Sequence, residues 1–225
     1  MKRDLFKAKA DKHIQYLKMN GCKDLSIFRM IRANIPKEFR HIDLDNFDGD
    51  PKAMRAVELY CKKLNKARED GIGFLFMGEN GVGKTSLNII ILKEALLRGY
   101  SAFFITLPEI FSRIYAGYKN PEVLAELKEK LYNTDFLCIS ELGKDYHREG
   151  ATLFARSEFD AIFRERRGDL RPIIMDTNLD LVELHENFGE SIISMFRSRL
   201  KIMTLKGGDY RKKHQEKEVN EFFKG

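Results

Sequence analysis

Short apolar runs alternate with longer segments of helical period along most of this chain. The runs are four or five residues long, which suits buried strands better than helices. The predicted strands are 73–77, 102–106, 136–139, 173–177 and 202–205. The predicted helices between them are 86–92, 108–117, 121–132, 150–167, 179–188 and 189–199. Strands that alternate with helices predict an α/β fold, in which a parallel sheet carries helices on both faces.

One more helix is predicted before the first strand. Asp50 and Pro51 provide an N-cap residue followed by proline at the first helical position. Gly71 is the candidate C′ residue at the other end of this helix. The apolar stripe that would pack the helix repeats at helical spacing through Met54, Val57, Cys61 and Leu64.

The first residues of the chain differ in pattern from the middle. Residues 1–34 mix basic and apolar positions, which suggests one or two short helices broken at Asn20-Gly21. A segment this small cannot hold a core of its own, so it must pack on the main domain or on a partner. We expect a partner-docking arm, with a frayed terminal helix as the alternative. The α/β domain would then cover 35–211, followed by a charged, solvated tail over 212–225.

The sequence between the first strand and the next helix has the pattern G-x-x-x-x-G-K-[ST]. Its glycines let backbone N–H groups close around phosphate oxygens, and the positive end of the following helix points at them. Lys84 would reach the β- and γ-phosphates, and the Thr85 hydroxyl would ligate Mg²⁺. The pattern therefore predicts binding of a nucleoside triphosphate with Mg²⁺. The predicted contact residues are Gly78, Glu79, Asn80, Gly81, Val82, Gly83, Lys84, Thr85 and Ser86.

Polar residues follow the third and fourth predicted strands, at the sheet edge where this phosphate-binding loop (P-loop) lies. Glu141 is placed to polarise the attacking water, because a carboxylate at a strand's carboxyl end opens onto the ligand crevice. Ser140 stands where a metal-supporting aspartate is usually found, and its hydroxyl can hydrogen-bond a metal-bound water but brings no charge. We therefore expect weak Mg²⁺ support and slow hydrolysis. Asn178 would position water or sense the γ-phosphate, although asparagine at a strand end also serves turns.

Two arginines, Arg197 and Arg199, come near the end of the last predicted helix. Arginines supplied by a neighbouring subunit stabilise the charge of phosphoryl transfer in oligomeric ATPases. The alternative is that both compensate the helix dipole and form surface salt bridges. Composition leaves the two interpretations open.

Composition narrows the class of protein without identifying a partner. The net charge of +6 is compatible with a nucleic-acid partner but does not require one. The three cysteines share no C-x-x-C spacing, so neither a zinc site nor a disulfide framework is indicated. No apolar run approaches the ~18 residues of a membrane span, and the first residues do not have the pattern of a signal peptide. We expect a cytoplasmic protein with no membrane partner.

The ordered set of motifs resembles the DnaC/DnaI-type AAA+ helicase loaders, relatives of the IstB transposition ATPases and the DnaA initiators. The resemblance covers roughly 35–211 and depends on order and spacing, because the P-loop alone is shared by many families. Its motifs are the lead-in 35–40, the P-loop, the Walker B segment 135–143, the sensor 1 segment 177–179, the start of the arginine-finger helix at 188–190, and the closing motif 208–211.

The resemblance implies a five-stranded AAA+ core in the order 5-1-4-3-2 without a large C-terminal lid. The helical pair between the second and third strands would be an insert that helps line a spiral around single-stranded DNA. Tyr118 lies where the family places an aromatic for base stacking, which contributes ~1–3 kcal/mol per base. Lys119 would meet a phosphate. The alternative for Tyr118 is packing against Tyr115 or Phe111.

Two departures from the family pattern affect the expected chemistry. Ser140 replaces the family's aspartate, and Met195 stands where the family's arginine should follow Ser194. A Ser-Arg-Leu sequence appears one helical turn later, around Arg199. Both departures argue against efficient hydrolysis, and neither argues against ATP binding.

The motifs favour a loader that grips a replicative hexameric helicase through 1–34 and places it on single-stranded DNA as an ATP-controlled oligomer. One alternative is an IstB-like transposition ATPase that coats duplex DNA. Another is an adaptor that binds ATP without hydrolysing it, which the departures at Ser140 and Met195 would explain. A small-molecule kinase would leave the sensor and closing motifs unexplained.

Overall fold

The computed structural model describes residues 26–118, 120–143, 152–208 and 223, with the backbone alone at 152–156. Its strands form one parallel sheet in the order β2-β3-β4-β1-β5. This is the predicted order 5-1-4-3-2 read from the other edge. The strands are β1 (Gly73–Met77), β2 (Ala102–Thr106), β3 (Phe136–Leu142), β4 (Ile173–Thr177) and β5 (Leu200–Thr204).

The helices of the described ranges cover both faces of the sheet, as predicted. Alternate residues of β1 belong to opposite core clusters, since Phe74 and Phe76 pack on one face while Leu75 and Met77 pack on the other. The helices are α1 (Ile27–Arg32), α2 (Pro51–Lys62), α3 (Leu64–Asp70), α4 (Lys84–Leu97), α5 (Leu107–Gly117), α6 (Pro121–Asn133), α7 (Thr152–Gly168) and α8 (Leu181–Arg199). The first four contribute to the cluster of Phe74, and the last four to the cluster of Leu75.

The segment before β1 differs from the single predicted helix. It forms two consecutive helices, α2 and α3, because Lys63 between them leaves helical geometry with φ −103° and ψ 22°. Asp50 caps α2 by accepting from the backbone N–H of Lys52 and Ala53. Gly71 ends α3 in the left-handed conformation with φ 66°, as a C-terminal glycine should.

The structure changes the predicted boundaries of two strands and confirms the predicted break in one helix. Strand β3 continues beyond the predicted residue 139 to Leu142, with a shift in its pairing to β4 after Ile139. Strand β5 begins at Leu200 and ends at Thr204, rather than covering 202–205. Helix α8 is interrupted at Gly189, with φ 79° and ψ 163°, which confirms the predicted break between two helical segments.

The end of the predicted arm lies against the edge strand β2. The backbone N–H of Phe104 donates to Ala33 O at 2.8 Å, and Asn34 Nδ2 donates to Phe104 O at 2.9 Å. The Arg29 guanidinium donates to Leu96 O at the end of α4. Residues 1–25, and nearly all of the predicted tail 212–225, lie outside the described residues, so the predicted boundaries of arm, domain and tail stay predictions.

The α/β core has no lid among the described residues, which after β5 are 205–208 and 223. This agrees with the predicted architecture. In the same described ranges, no helix has both the length and the apolar character needed to cross a membrane.

Candidate nucleotide site

The loop between β1 and α4 has the backbone conformation that a phosphate cradle needs. Gly78, Gly81 and Gly83 have φ angles of 138°, 79° and 91°, which side chains rarely tolerate. At Gly83 a Cβ would also lie 2.9 Å from the ring of Phe47. Gly83 is the N-cap residue of α4, and no side chain caps that 14-residue helix. Its first N–H groups and the positive end of its dipole are therefore directed at the loop, where an anion would bind.

Lys84 is buried beneath this loop. Its ammonium donates to Gly78 O at 2.8 Å and to Glu79 O at 2.7 Å. A third bond, at 2.7 Å, goes to Asn178 Oδ1. The lysine that the sequence assigns to the phosphates thus lies at the centre of the loop.

Asn178 links the loop to the end of β4. It accepts from Lys84, and its Nδ2 donates to Asn80 Oδ1 at 2.8 Å. The link forms because β4 pairs with β1 in parallel, with Met77 opposite Thr177, so both strands end at the same edge. Three of the predicted site residues are thereby brought together: Asn80, Lys84 and Asn178.

A residue that the sequence pattern did not single out, Asp176, lies at the centre of the site. It occupies the fourth position of β4 and is only 3% exposed. Its Oδ2 accepts from Ser140 Oγ at 2.7 Å, from Asn88 Nδ2 at 2.5 Å and from Thr85 Oγ1 at 3.3 Å. Its Oδ1 accepts from the backbone N–H of Glu141 at 3.0 Å.

The signal for Asp176 was present in the sequence, as one acid inside an otherwise apolar strand. Its significance depends on the pairing of β4 with both β3 and β1, which places it between Ser140 and the P-loop. Burial raises the pKa of the Asp176 carboxyl, although its hydrogen-bond donors and the nearby Lys84 charge oppose that rise. A carboxylate at this depth is stabilised by any cation that comes near it.

Glu141 has an unusual backbone conformation. Its φ of 58° lies in the left-handed region, which is uncommon for residues other than glycine and often occurs at functional sites. The conformation coincides with the register shift between Ile139 and Leu142, and it directs the Glu141 N–H to Asp176. The role predicted for the Glu141 side chain, polarising water, stays a prediction.

The donor set at this edge fits a magnesium nucleotide. Thr85 provides a hydroxyl and Asp176 a carboxylate, both hard oxygen ligands of the kind Mg²⁺ prefers. Asn88 is fully buried beside them, and its Oδ1 has no hydrogen-bond partner. The described residues hold no group of three or more His, Cys, Asp and Glu that would bind a metal alone. Mg²⁺ commonly binds through one or two carboxylates together with substrate phosphates, so these few ligands suffice.

The two candidate finger arginines have different surroundings. Arg199 Nη1 donates to Asp70 O at 2.9 Å and so ties the end of α8 to the end of α3. Arg197 is exposed, with Nη1 3.8 Å from Glu190 Oε1. Met195, at the position where the family pattern expects arginine, is buried in the core. The finger role of both arginines stays a prediction, and the surroundings of Arg197 suit it better.

The predicted DNA contacts fall at the junction of α5 and α6. Tyr118 follows α5 and is 61% exposed, and Tyr115 on the same helix is more exposed still. Phe111 packs against the core. Lys119 lies outside the described residues. An exposed ring is what base stacking requires, and the DNA role of both residues stays a prediction.

Comparison with known proteins agrees with the site. The family described as IstB-like ATP binding protein matches residues 29–218. The replicative helicase loader DnaC of Escherichia coli K12 is 32% identical over 142 residues, which are 60% of this chain and 56% of DnaC. The chain thus spans little more than half the length of that relative. A protein of insertion sequence IS5376 from Geobacillus stearothermophilus, named for ATP binding, is 32% identical over 193 residues, or 83% of this chain and 73% of that protein.

The fold has the same support from a solved structure. The crystal structure of the DnaC helicase loader superposes with a TM-score of 0.67 at 22% identity, covering 76% of this chain and 100% of that chain. At this identity the likeness concerns the fold. Together with the family match over most of the sequence, it confirms the resemblance on which the sequence predictions rest. This chain belongs to the family of IstB-like ATP binding proteins, and its fold is that of the DnaC/DnaI-type AAA+ proteins.

Proposed function

We propose that this protein is an ATP-controlled loader that places a replicative hexameric helicase on single-stranded DNA. The observation that carries the proposal is the hydrogen bond between Lys84 and Asn178, which joins residues 94 positions apart. It connects the P-loop to the end of β4. A change in the nucleotide that the loop holds can therefore be transmitted to the rest of the core. The similarity to the helicase loader DnaC supports loading as the process that this sensing controls.

The residues of the site divide the work of ATP binding and hydrolysis among them. The loop backbone and Lys84 would hold the phosphates, and Thr85 would hold Mg²⁺. Bound ATP supplies a phosphoanhydride bond whose hydrolysis resets the protein. The Glu141 carboxylate would accept the proton of the attacking water, and the Asn178 amide would orient that water. Arg197 of a neighbouring subunit would stabilise the transferred charge, which makes the active form an oligomer.

The helicase would dock on the arm, whose described part offers an apolar surface. Ile27, Phe28 and Ile31 of α1 are 64%, 65% and 51% exposed, while Met30 of the same helix is buried in the core. Exposed aromatic and aliphatic groups on one short element are typical of a binding surface. Tyr118 and Lys119 would contact the single-stranded DNA.

One observation favours a second candidate function. The IS5376 protein matches a larger share of this chain than the E. coli loader does, at equal identity. This favours an IstB-like transposition ATPase that acts on duplex DNA. The two candidates share the ATP site and differ in the partner. A non-hydrolysing adaptor would share the site as well, and would show no turnover.

The deciding experiment mixes the full-length protein with its host's replicative helicase and ATP, and measures the mass of the complex by light scattering. The test variant replaces Ile27, Phe28 and Ile31 by serine in the full chain, because residues 30, 33 and 35 belong to the core and a deletion through 34 would damage it. Val182→Ser removes an equally exposed apolar group on α8 and is the matched control.

We expect a stoichiometric complex with the wild type and with Val182→Ser, and loss of the complex with the α1 variant. No complex with any of the three would overturn the loader proposal. Unchanged binding by the α1 variant would leave the loader in place and overturn the docking surface. ATP-dependent filaments on duplex DNA, without a helicase complex, would establish the transposition ATPase instead.

A further inference from the structure

We propose that Asp176 on β4, instead of the residue at position 140 of β3, supplies the carboxylate that supports the nucleotide's metal. This inference rests on the proposed function, since it assumes that the P-loop binds ATP with Mg²⁺. It assigns the charge that Ser140 lacks to a residue of the neighbouring strand.

The register of the sheet makes the exchange possible. Strands β3 and β4 are neighbours, with Ile139 opposite Met175, and the register shift that follows this pair leaves Ser140 within hydrogen-bond distance of Asp176. Ser140 Oγ donates to Asp176 Oδ2 at 2.7 Å. The carboxylate and the hydroxyl therefore occupy adjacent positions at one depth of the sheet, and either could stand on either strand.

The Asp176 carboxylate reaches the P-loop from its strand. Its Oδ2 accepts from the hydroxyl of Thr85, the P-loop group assigned to the metal, at 3.3 Å. A metal held by that hydroxyl would lie next to the Asp176 oxygens or to a water bound by them. Asp176 thus lies where a metal-supporting carboxylate is needed, a group that Ser140 does not provide.

The hydrogen bonds to Asp176 come from neutral groups, although the positive charge of Lys84 lies nearby. Its four donors are neutral: two hydroxyls, one side-chain amide and one backbone N–H. Burying a carboxylate among neutral groups is costly, and a nearby cation offsets that cost. The unpartnered Oδ1 of Asn88 adds a second buried acceptor at the same place. A cation with its bound waters would satisfy both groups.

If Asp176 provides the charge, the role of Ser140 in metal support changes. Its neutral side chain predicts weak Mg²⁺ support only if position 140 is the source of the negative charge. In the structure Ser140 donates to the carboxylate and so helps to hold it in place. Metal support then does not depend on a carboxylate at 140, and the site is equipped for a magnesium nucleotide.

The test measures binding of a fluorescent ATP analogue with Mg²⁺ and again with EDTA, so that the gain in affinity due to the metal is obtained separately. The variants are Asp176→Ser and the exchange Ser140→Asp/Asp176→Ser, which restores one carboxylate and one hydroxyl on swapped strands. Asp135→Ser is the matched control, because Asp135 is a partly buried carboxylate at the other end of β3. Thermal unfolding of each variant without metal or nucleotide shows that it folds.

We expect Asp176→Ser to lower the Mg²⁺-dependent gain, taken as the ratio of the affinities with Mg²⁺ and with EDTA, about 10–100-fold, the usual cost of removing a group that supports a metal. The exchange variant should recover most of the gain, and Asp135→Ser should keep all of it.

A full gain in Asp176→Ser, or no recovery in the exchange variant, would overturn the inference. So would failure of both variants to fold, since Asp176 would then be a structural residue. A wild type that binds the analogue without any gain from Mg²⁺ contradicts this inference alone, whereas one that binds no nucleotide contradicts the proposed function as well.

Discussion

The two ends of the central sheet both bury charged side chains, and the partners of Arg166 at one end differ in kind from those of Asp176 at the other. At the amino end, Arg166 of α7 is fully buried and, within the part of the chain that the structure describes, donates only to main-chain carbonyl oxygens. These belong to Leu131, Tyr132, Thr134, Asp135 and Pro172, at distances of 2.9–3.3 Å. At the carboxyl end, Asp176 accepts mostly from side chains, one of which belongs to the P-loop.

The difference indicates which end is structural and which is functional. The carbonyl partners of Arg166 come from the end of α6 and from the residues just before β3 and β4, so the guanidinium joins three elements at their ends. The buried atoms without a hydrogen-bond partner there are donors, Arg166 Nε and Arg171 Nε, whereas the one beside Asp176 is an acceptor, Asn88 Oδ1. A buried acceptor without a donor can be satisfied by a cation that binds from outside the chain. Buried charge alone therefore does not mark a site, and the chemistry of its partners does.

The largest effect is expected at the amino end, from Arg166→Met. The substitution removes the Arg166 donor from five main-chain carbonyl groups, of which Tyr132 O and Pro172 O keep another donor. The free energy of unfolding should therefore fall by about 3–5 kcal/mol. Urea unfolding followed by circular dichroism measures the change. Arg167→Met alters the exposed neighbour on the same helix and should change little. Equal effects of the two substitutions would contradict the structural role of Arg166.

A smaller effect, confined to catalysis, is expected at the carboxyl end from Asn178→Ala. The exposed amide contacts Lys84 and Asn80, so its loss should lower ATP turnover by about 100-fold, as for other lost groups that stabilise a transition state. Stability should change by no more than about 0.5 kcal/mol. Asn133→Ala removes an amide that accepts from Arg171 at the amino end and is the control. If both variants turn over ATP equally, the two ends are not distinguished by function.

The smallest effect concerns the pH dependence of stability at Asp135. Burial alone would raise the pKa of this carboxyl, but hydrogen bonds from Ser101 and Arg68 outweigh burial and hold the pKa below its usual value. The ionised group therefore stabilises the fold above about pH 3.8, and the contribution is lost as the pH falls through the lowered pKa. Asp135→Asn should cost about 1 kcal/mol at neutral pH, as one partly buried charged hydrogen bond does.

Unfolding measured at neutral pH and in acid checks this dependence. The difference between wild type and Asp135→Asn should shrink as the pH falls below about 3.8. A difference that grows in acid would contradict the sign of the pKa shift. ATP affinity should be the same in both proteins, because Asp135 lies at the end of the sheet away from the P-loop.

Features fixed by local sequence were predicted, and features fixed by long-range pairing were not. Short-range patterns are enough to locate the P-loop, the glycine break at Gly189 and the capped start of α2. Asp176 and Arg166 escaped prediction because their partners come from strands and helices distant in sequence. The extension of β3 past residue 139 escaped for a related reason, since it depends on a register shift against β4. Strand order was predicted through the family resemblance, which carries the long-range information that periodicity lacks.

The most direct test of the central claim, that the carboxyl end of the sheet is an ATP site, is a calorimetric titration of the wild type and Lys84→Ala with ATP and Mg²⁺. Lys84 would give charged hydrogen bonds to the phosphates, so the variant should bind ATP roughly 10–100-fold more weakly. Equal affinity in the two proteins, or no binding by the wild type, would contradict the account.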